Sequence, residues 1–357
     1  MKQAARQRLW WWQVASAVAA ALLLAWTLRE VQMHSVLTLL SRLSAAAAAL
    51  VLLPQLLSQV LETWGWQLAL KQEGVRFLPL LRVRVATEAP AACLPAGVLL
   101  AESLKLPLLG RHCGLPAASA AAAILVRKYL LLVSQGLYIL LAAVLGYTSL
   151  ELASTHVLGF NGLPGLLVSC GLAISGAGIG FRLLLSRGAI ALKLQHALRS
   201  LPAPSVTRAL DRHAQAFGDA DRRLRFFFSL PLASELRLVG CFLGAWLCEA
   251  CETYLILQLL GVEMSFWSVA SFEVGLSLLR NLVFLVPAGL GVHDAGYVLF
   301  LAALGAPEPA ATGTAFVLLK RSKELIWAGV GFGLLALELP RRRAPGPLAE
   351  SPGALML

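Results

Sequence analysis

Two pairs of adjacent basic residues lie within long apolar runs of the sequence. Arg127-Lys128 lies about 15 Å from the start of its run at the helical rise per residue, and Lys320-Arg321 lies at a similar depth in another run. One such cation at the centre of a membrane costs about 2.5 to 3.5 kcal/mol. The sequence therefore predicts that these four cations have partners or receive a ligand.

Carboxylates that could pair with these cations also occur in apolar segments. They are Glu88, Glu102, Glu249, Glu252, Glu273, Asp294 and Glu324. Lys320 and Glu324 are i, i+4 neighbours, which share one face of a helix. Two interpretations stay open. The ions form a self-satisfied network that holds the helices together, or they line a cationic, water-filled cavity whose acids position the bases or exchange protons.

The predicted substrate-binding residues are ionisable side chains in or beside the apolar runs. They are Glu102, Lys105, Arg127, Lys128, Glu273, Arg280, Asp294, Lys320, Arg321, Lys323 and Glu324. The sequence contains no GxSxG, HExxH or Walker motif, so neither a nucleophile nor an energy source is visible. We expect no catalytic residue, no cofactor and no metal site, and a protein that is not an enzyme.

The elements that must position these residues are membrane spans. The chain has 357 residues, of which 58% are apolar and 14% charged, and a mean hydropathy of +0.75. This composition nearly excludes a water-soluble enzyme and predicts an all-α polytopic membrane protein, with a single integral membrane domain over residues 1–339. The runs expected to cross the membrane are 10–26, 45–64, 117–145, 162–181, 238–260 and 311–337.

Two further apolar stretches, 77–108 and 266–304, are interrupted by residues that end helices. The interrupting residues are Pro95, Gly97, Pro287, Gly289 and Gly291. Each stretch is a re-entrant hairpin or a pair of tilted crossings, and on either interpretation the chain returns to the side from which it entered.

The two broken stretches also resemble each other. Each has a Pro-Ala-Gly sequence with an acid seven residues after the proline, Glu102 or Asp294, and each is followed by one of the dibasic runs. We therefore predict two inverted repeats, at about 77–146 and 266–339, an organisation found in transporters that bind their substrate near the midplane.

The distribution of basic residues predicts the orientation. Most of the 30 Lys and Arg residues lie in segments on the side of the N-terminus, whereas only Arg29 and Arg42 lie in segments on the other side. The positive-inside rule then places both termini in the cytoplasm. The connection 182–230 is expected to form an amphipathic helix on the inner leaflet, and residues 340–357 a disordered cytoplasmic tail.

These features resemble the flippase-like transmembrane domain of the lysylphosphatidylglycerol synthase family. The matching residues are Leu94-Pro95-Ala96-Gly97 with Glu102 and Lys105, Arg127, and Pro287-Ala288-Gly289-Leu290-Gly291-Val292-His293-Asp294 followed by Lys320-Arg321. The similarity covers about 50–337, and Ala288 and Asp294 depart from the usual motif. The resemblance implies lipid translocation or lipid handling in the bacterial inner membrane, without the aminoacyl-transferring domain of the full-length synthases.

Three functional hypotheses follow. The first is a translocator that passes an anionic or amphipathic lipid headgroup through a midplane cavity. The second is an embedded lipid-modifying enzyme with Glu102 and Asp294 as general acid and base. The third is an accessory subunit of a lipid or envelope biosynthesis pathway. With a net charge of +11, the expected partners are anionic lipid headgroups rather than nucleic acid, and lipid-pathway enzymes are further candidates.

Overall fold

The computed structural model describes residues 44–94, 97–155, 161–187, 214–282, 292–306 and 308–337, together with the single residues 38, 41 and 159. The helices in this part of the chain are α1 (Ala45–Leu50), α2 (Leu52–Ala69), α3 (Phe77–Cys93), α4 (Gly97–Cys113), α5 (Ala117–Leu145), α6 (Tyr147–Ala153), α7 (Leu163–Ser186), α8 (Ala214–Phe228), α9 (Leu232–Leu259), α10 (Phe266–Leu282), α11 (Val292–Ala303) and α12 (Pro309–Ala336). The described part contains no strand, and the predicted all-α class is confirmed.

Three of these helices, α5, α7 and α9, are long and apolar enough to cross a membrane. The first coincides with the predicted run 117–145, and the other two lie within a few residues of their predictions. The predicted run 45–64 is divided between α1 and α2. The predicted first crossing at 10–26 lies outside the described residues, as do most of the connection after Arg187 and the tail at 340–357. The number of crossings and the inverted repeats stay predictions.

A helix end and a helix start flank the first predicted interruption. Helix α3 ends at Cys93 and α4 begins at Gly97, so a three-residue connection turns the chain back and the two helices pack against each other. A Cβ atom at Gly97 would lie 1.8 Å from the carbonyl oxygen of Pro90, so only glycine fits this turn. Pro95 lies outside the described residues, as do the second interruption, with Pro287, Gly289 and Gly291, and the side chains of Arg280 and Asp294.

Close helix contacts hold the bundle together. Helix α2 packs along α9, α5 packs along α7, and α12 packs along α3. Glycines allow several of these approaches: a Cβ at Gly65 would lie 2.9 Å from the ring of Phe242, and a Cβ at Gly331 would lie 2.7 Å from the carbonyl oxygen of Val85. Small residues at helix contacts are the usual basis of packing in membranes, where lipid chains are as apolar as leucine.

Large apolar side chains lie on the outer surface of the bundle, and several charged side chains are buried inside it. Large apolar side chains such as Leu78, Leu99 and Leu325 are more than 70% exposed. Charged side chains such as Arg84 and Glu252 are at most 5% exposed. This arrangement fits lipid outside the bundle and an apolar interior in which the buried charged side chains form ion pairs.

Candidate functional site

The first buried cluster joins α2, α3 and α5. The carboxylate of Glu62 accepts hydrogen bonds from both Arg84 and Arg127, the latter over 3.0 Å. Gln59 accepts a hydrogen bond from Arg84 and donates one to Glu88. The side chains of Glu62, Arg84 and Arg127 are each less than 15% exposed. One carboxylate thus holds two guanidinium groups from different helices, as the planar fork of arginine favours.

An aromatic ring closes one side of this first cluster. The guanidinium carbon of Arg127 lies 5.5 Å from the ring centre of Trp66, a distance at which a cation is attracted to the face of the ring. The indole nitrogen of Trp66 donates to the carbonyl oxygen of Ala123 over 3.0 Å. The Nε atom of Arg127 is buried and has no hydrogen-bond partner among the described residues.

The second buried cluster joins α9, α10, α11 and α12. The ammonium of Lys320 donates to Glu273 over 2.7 Å, to the hydroxyl of Tyr297 over 2.5 Å and to that of Thr253 over 3.0 Å. Tyr297 donates to Glu273 over 2.6 Å, and Thr253 donates to the same carboxylate. Lys320 also lies 4.9 Å from the ring centre of Tyr297 and 5.7 Å from that of Phe316.

The other basic residues of α12 have partners of their own. Lys323 pairs with Glu252 at 2.8 Å, and Arg321 pairs with Glu324 at 2.6 Å. The expectation that Lys320 pairs with Glu324 is wrong, because the ammonium of Lys320 reaches the more deeply buried carboxylate of Glu273 instead. A contact between helices thus replaces the pair within one helix.

Glu102, the acid after the first helix break, also forms ion pairs with two cations. Glu102 pairs with Lys105 at 2.7 Å and with Lys128 at 2.5 Å. The side chain of Lys128 is 39% exposed, which makes it the most accessible of the four predicted midplane cations. The second carboxylate oxygen of Glu102 is buried without a hydrogen-bond partner in the described part of the chain.

A cavity of about 540 Å³ lies at one end of the bundle, between the end of α2, the starts of α5 and α9, and α8. This cavity, named the end cavity below, has a cationic rim and apolar walls. Its polar lining residues are Lys71, Gln72, Glu73, Ser119, Arg222, Arg223, Ser234 and Arg237. By the charge distribution of the sequence, this end of the bundle is predicted to face the cytoplasm.

The structure places the predicted site residues in several pairs and clusters rather than around one cavity. Arg127, Lys128, Lys320 and Arg321 each face a carboxylate, and none of them lines the end cavity. Of the two interpretations of these cations, the geometry therefore matches the self-satisfied ion-pair network and not the water-filled cavity. The wall of the end cavity nevertheless reaches Val126, the residue before Arg127.

Sequence reasoning missed the residues that complete the first cluster. Glu62 and Arg84 were absent from the predicted site, although Glu62 is the one acidic residue of the apolar helix α2. A lone carboxylate in an apolar helix was the available signal. Arg84 gave no comparable signal, since it lies among other basic residues beside the first broken stretch.

Apolar surfaces, three helices long enough to span a bilayer and buried ion pairs define an α-helical membrane protein. The family model of the lysylphosphatidylglycerol synthase transmembrane region matches residues 12–326, and the chain belongs to this family. The family confirms the resemblance seen in the sequence and relates this membrane protein to lipid metabolism. A comparison with curated proteins returns no match.

Proposed function

We propose that the protein translocates a lipid with an anionic or amphipathic headgroup across the bacterial inner membrane, while the acyl chains stay in the bilayer. The proposal includes two further points. Both termini lie in the cytoplasm, as the distribution of basic residues predicts, and the partners of the protein are membrane lipids. The observation that carries the proposal is the placement of Arg127 and Lys320. These cations lie 193 positions apart, each buried between helices of its own half of the chain and each beside an aromatic ring.

Pairing with carboxylates is compatible with this role. A phosphate group offers an anion and several hydrogen-bond acceptors, as a carboxylate does, so it can replace the carboxylate as the partner of a buried cation. The carboxylate keeps the cation in place and compensates its charge while no headgroup is present. In this scheme the headgroup exchanges with Glu62 in one cluster and with Glu273 in the other.

The test is lipid scrambling by the full chain in reconstituted vesicles. Arg127→Gln is the informative variant, because Glu62 keeps Arg84 as a partner and no buried carboxylate is left alone. We expect the scrambling rate to fall about tenfold or more, the effect of losing one strong charge-assisted contact. Arg127→Lys should restore part of the rate, and Arg76→Gln, at an exposed position, should have no effect.

For the second cluster, Lys320→Met is combined with Glu273→Gln so that neither charge remains buried alone. We expect this pair of substitutions to abolish scrambling while the protein still folds. Undiminished scrambling in both this variant and Arg127→Gln would contradict the proposal.

The accessory-subunit hypothesis is the second candidate, and the complete pairing of the four predicted midplane cations favours it. It predicts a wild-type protein that does not scramble lipid and whose clusters tolerate charge removal. The enzyme hypothesis gains no support from the described residues. Its predicted acid, Glu102, is bound to two lysines, and the side chain of its predicted partner, Asp294, lies outside the described part.

A further inference from the structure

The end cavity is separate from both buried clusters and has a charge of its own. Four basic side chains and one carboxylate line it. The carboxylate, Glu73, already pairs with Arg223. Arg222 pairs with Asp219 at 3.2 Å, but these side chains are 77% and 51% exposed, so this pair contributes little.

Two cations of the end cavity remain available. Lys71 and Arg237 are exposed, and neither has an ion pair or side-chain hydrogen bond within the described ranges. They reach the cavity from different elements, the short turn after α2 and the first turns of α9. An anion in the cavity would therefore meet cations from two sides.

Two helix starts also meet at the end cavity. Helices α5 and α9 begin directly after Pro116 and Pro231, and neither helix has a side-chain cap at that end. Ser119 and Ser234, the third residues of the two helices, both line the cavity. Uncapped backbone N–H groups at a helix start favour an anion, and here two such starts share one cavity.

A buried hydroxyl provides an independent indication of a ligand. Ser119 is only 2% exposed, and its hydroxyl has no hydrogen-bond partner in the described part of the chain. An unpaired buried hydroxyl is costly, and a bound acceptor would satisfy it.

The apolar walls of the end cavity favour a lipid over a free ion. Leu68 and Phe226 line it and are 40% and 45% exposed, so the apolar wall continues to the outer surface of the bundle. Inorganic phosphate would gain nothing from these walls. A phospholipid would place its phosphate at the cationic rim and its acyl chains along them.

We propose that the end cavity binds the phosphate-bearing headgroup of an anionic phospholipid from the adjacent leaflet, with Lys71, Arg237 and the hydroxyl of Ser119 as its contacts. The proposal deepens the proposed function, since this site would hold the substrate before it reaches Arg127. Binding can nevertheless be measured without transport.

The test is native mass spectrometry of the full chain in detergent, titrated with dioctanoyl phosphatidylglycerol or with dioctanoyl phosphatidylcholine. We expect the anionic lipid to bind more tightly than the zwitterionic lipid. The double variant Lys71→Gln/Arg237→Gln should weaken binding of the anionic lipid about tenfold or more, because two charge-assisted contacts are lost. Ser119→Ala should weaken it less.

The matched control is Arg76→Gln/Arg225→Gln, which removes the same charge from exposed positions of the neighbouring turn and of α8 that do not line the cavity. Equal weakening in the control, or equal affinity for the two lipids, would overturn the site. Displacement of the lipid by inorganic phosphate at equal concentration would overturn the choice of a lipid. Weaker binding in the double variant with scrambling intact would overturn the role of the cavity as the site that holds the substrate before Arg127. Binding by the wild-type protein without scrambling would refute only the proposed function.

Discussion

The two buried clusters each pair a cation with a carboxylate, but they take that carboxylate from different helices. In the first cluster, Glu62 comes from the helix that precedes the broken hairpin, and Arg127 from the helix that follows it. In the second cluster, Glu273 comes from α10, within the second predicted broken stretch, and Lys320 comes from α12. In that cluster the preceding helix contributes the hydroxyl of Thr253.

This difference indicates which part of the arrangement the two halves share. Electroneutrality can be met by a carboxylate on any neighbouring helix, because the Coulomb energy depends on distance and not on the helix that supplies the charge. Both clusters contain a cation that is paired with a carboxylate and lies beside an aromatic ring. These shared features are the ones on which the proposed headgroup contact depends.

The largest expected effect is on the shared carboxylate of the first cluster. Glu62→Gln removes the carboxylate that two buried guanidinium groups share. It should lower the free energy of unfolding by about 3 to 5 kcal/mol. Glu273→Gln should cost less, because Lys320 keeps two hydroxyl partners. Thermal unfolding in detergent measures both, with the exposed Glu263→Gln as the control. Equal losses at Glu62 and Glu273 would mean that the two clusters are energetically alike.

An intermediate effect is expected where the last helix of the second half crosses the hairpin of the first. In Gly331→Ala the new methyl group would lie 2.6 Å from the Cβ of Ala89 and 2.7 Å from the backbone oxygen of Val85, neither of which can rotate away. We expect a loss of about 1 to 3 kcal/mol, as for other overpacked sites. Gly329→Ala, which has open space on the same helix, should be neutral or slightly stabilising.

A close glycine contact between helices in the other half sharpens this comparison. Gly146, which follows α5, approaches α10, and a Cβ there would lie 2.7 Å from the carbonyl oxygen of Trp267. Gly146→Ala should therefore destabilise by a similar amount in the same unfolding measurement. A stable Gly146→Ala variant beside an unstable Gly331→Ala variant would show that the two crossings are not equivalent.

The smallest expected effect is on the hydroxyl that only the second cluster contains. Tyr297→Phe removes the donor to Glu273 and an acceptor for Lys320 while it keeps the ring. Because the ion pair itself remains, we expect a loss of about 1 to 2 kcal/mol in unfolding free energy. Tyr138→Phe is the matched control, since the hydroxyl of Tyr138 makes only a 3.4 Å contact with a backbone oxygen. An equal loss of unfolding free energy in the two variants would show that the hydroxyl of Tyr297 contributes no more to stability than that of Tyr138.

Several elements could be predicted closely because their signals are local. The run 117–145 became α5 at the same residues, and the break before Gly97 lies where the proline and glycine cluster indicated. The basic residues of these segments were found for the same reason, since a charge in an apolar run is visible without any knowledge of packing. The connection that forms α8 was expected to be helical, but its place beside the end cavity was not.

The sequence by itself determined that the chain is a helical membrane protein, where its first broken stretch is interrupted and which cations lie in the apolar runs. These properties follow from composition and from local backbone chemistry. Only the tertiary structure decided that Glu62 serves two arginines, that Lys320 pairs with Glu273 rather than with Glu324, and that a cationic cavity lies at one end of the bundle. Ion pairing acts over a few ångströms in space, and residues far apart in the chain reach that distance only when helices pack.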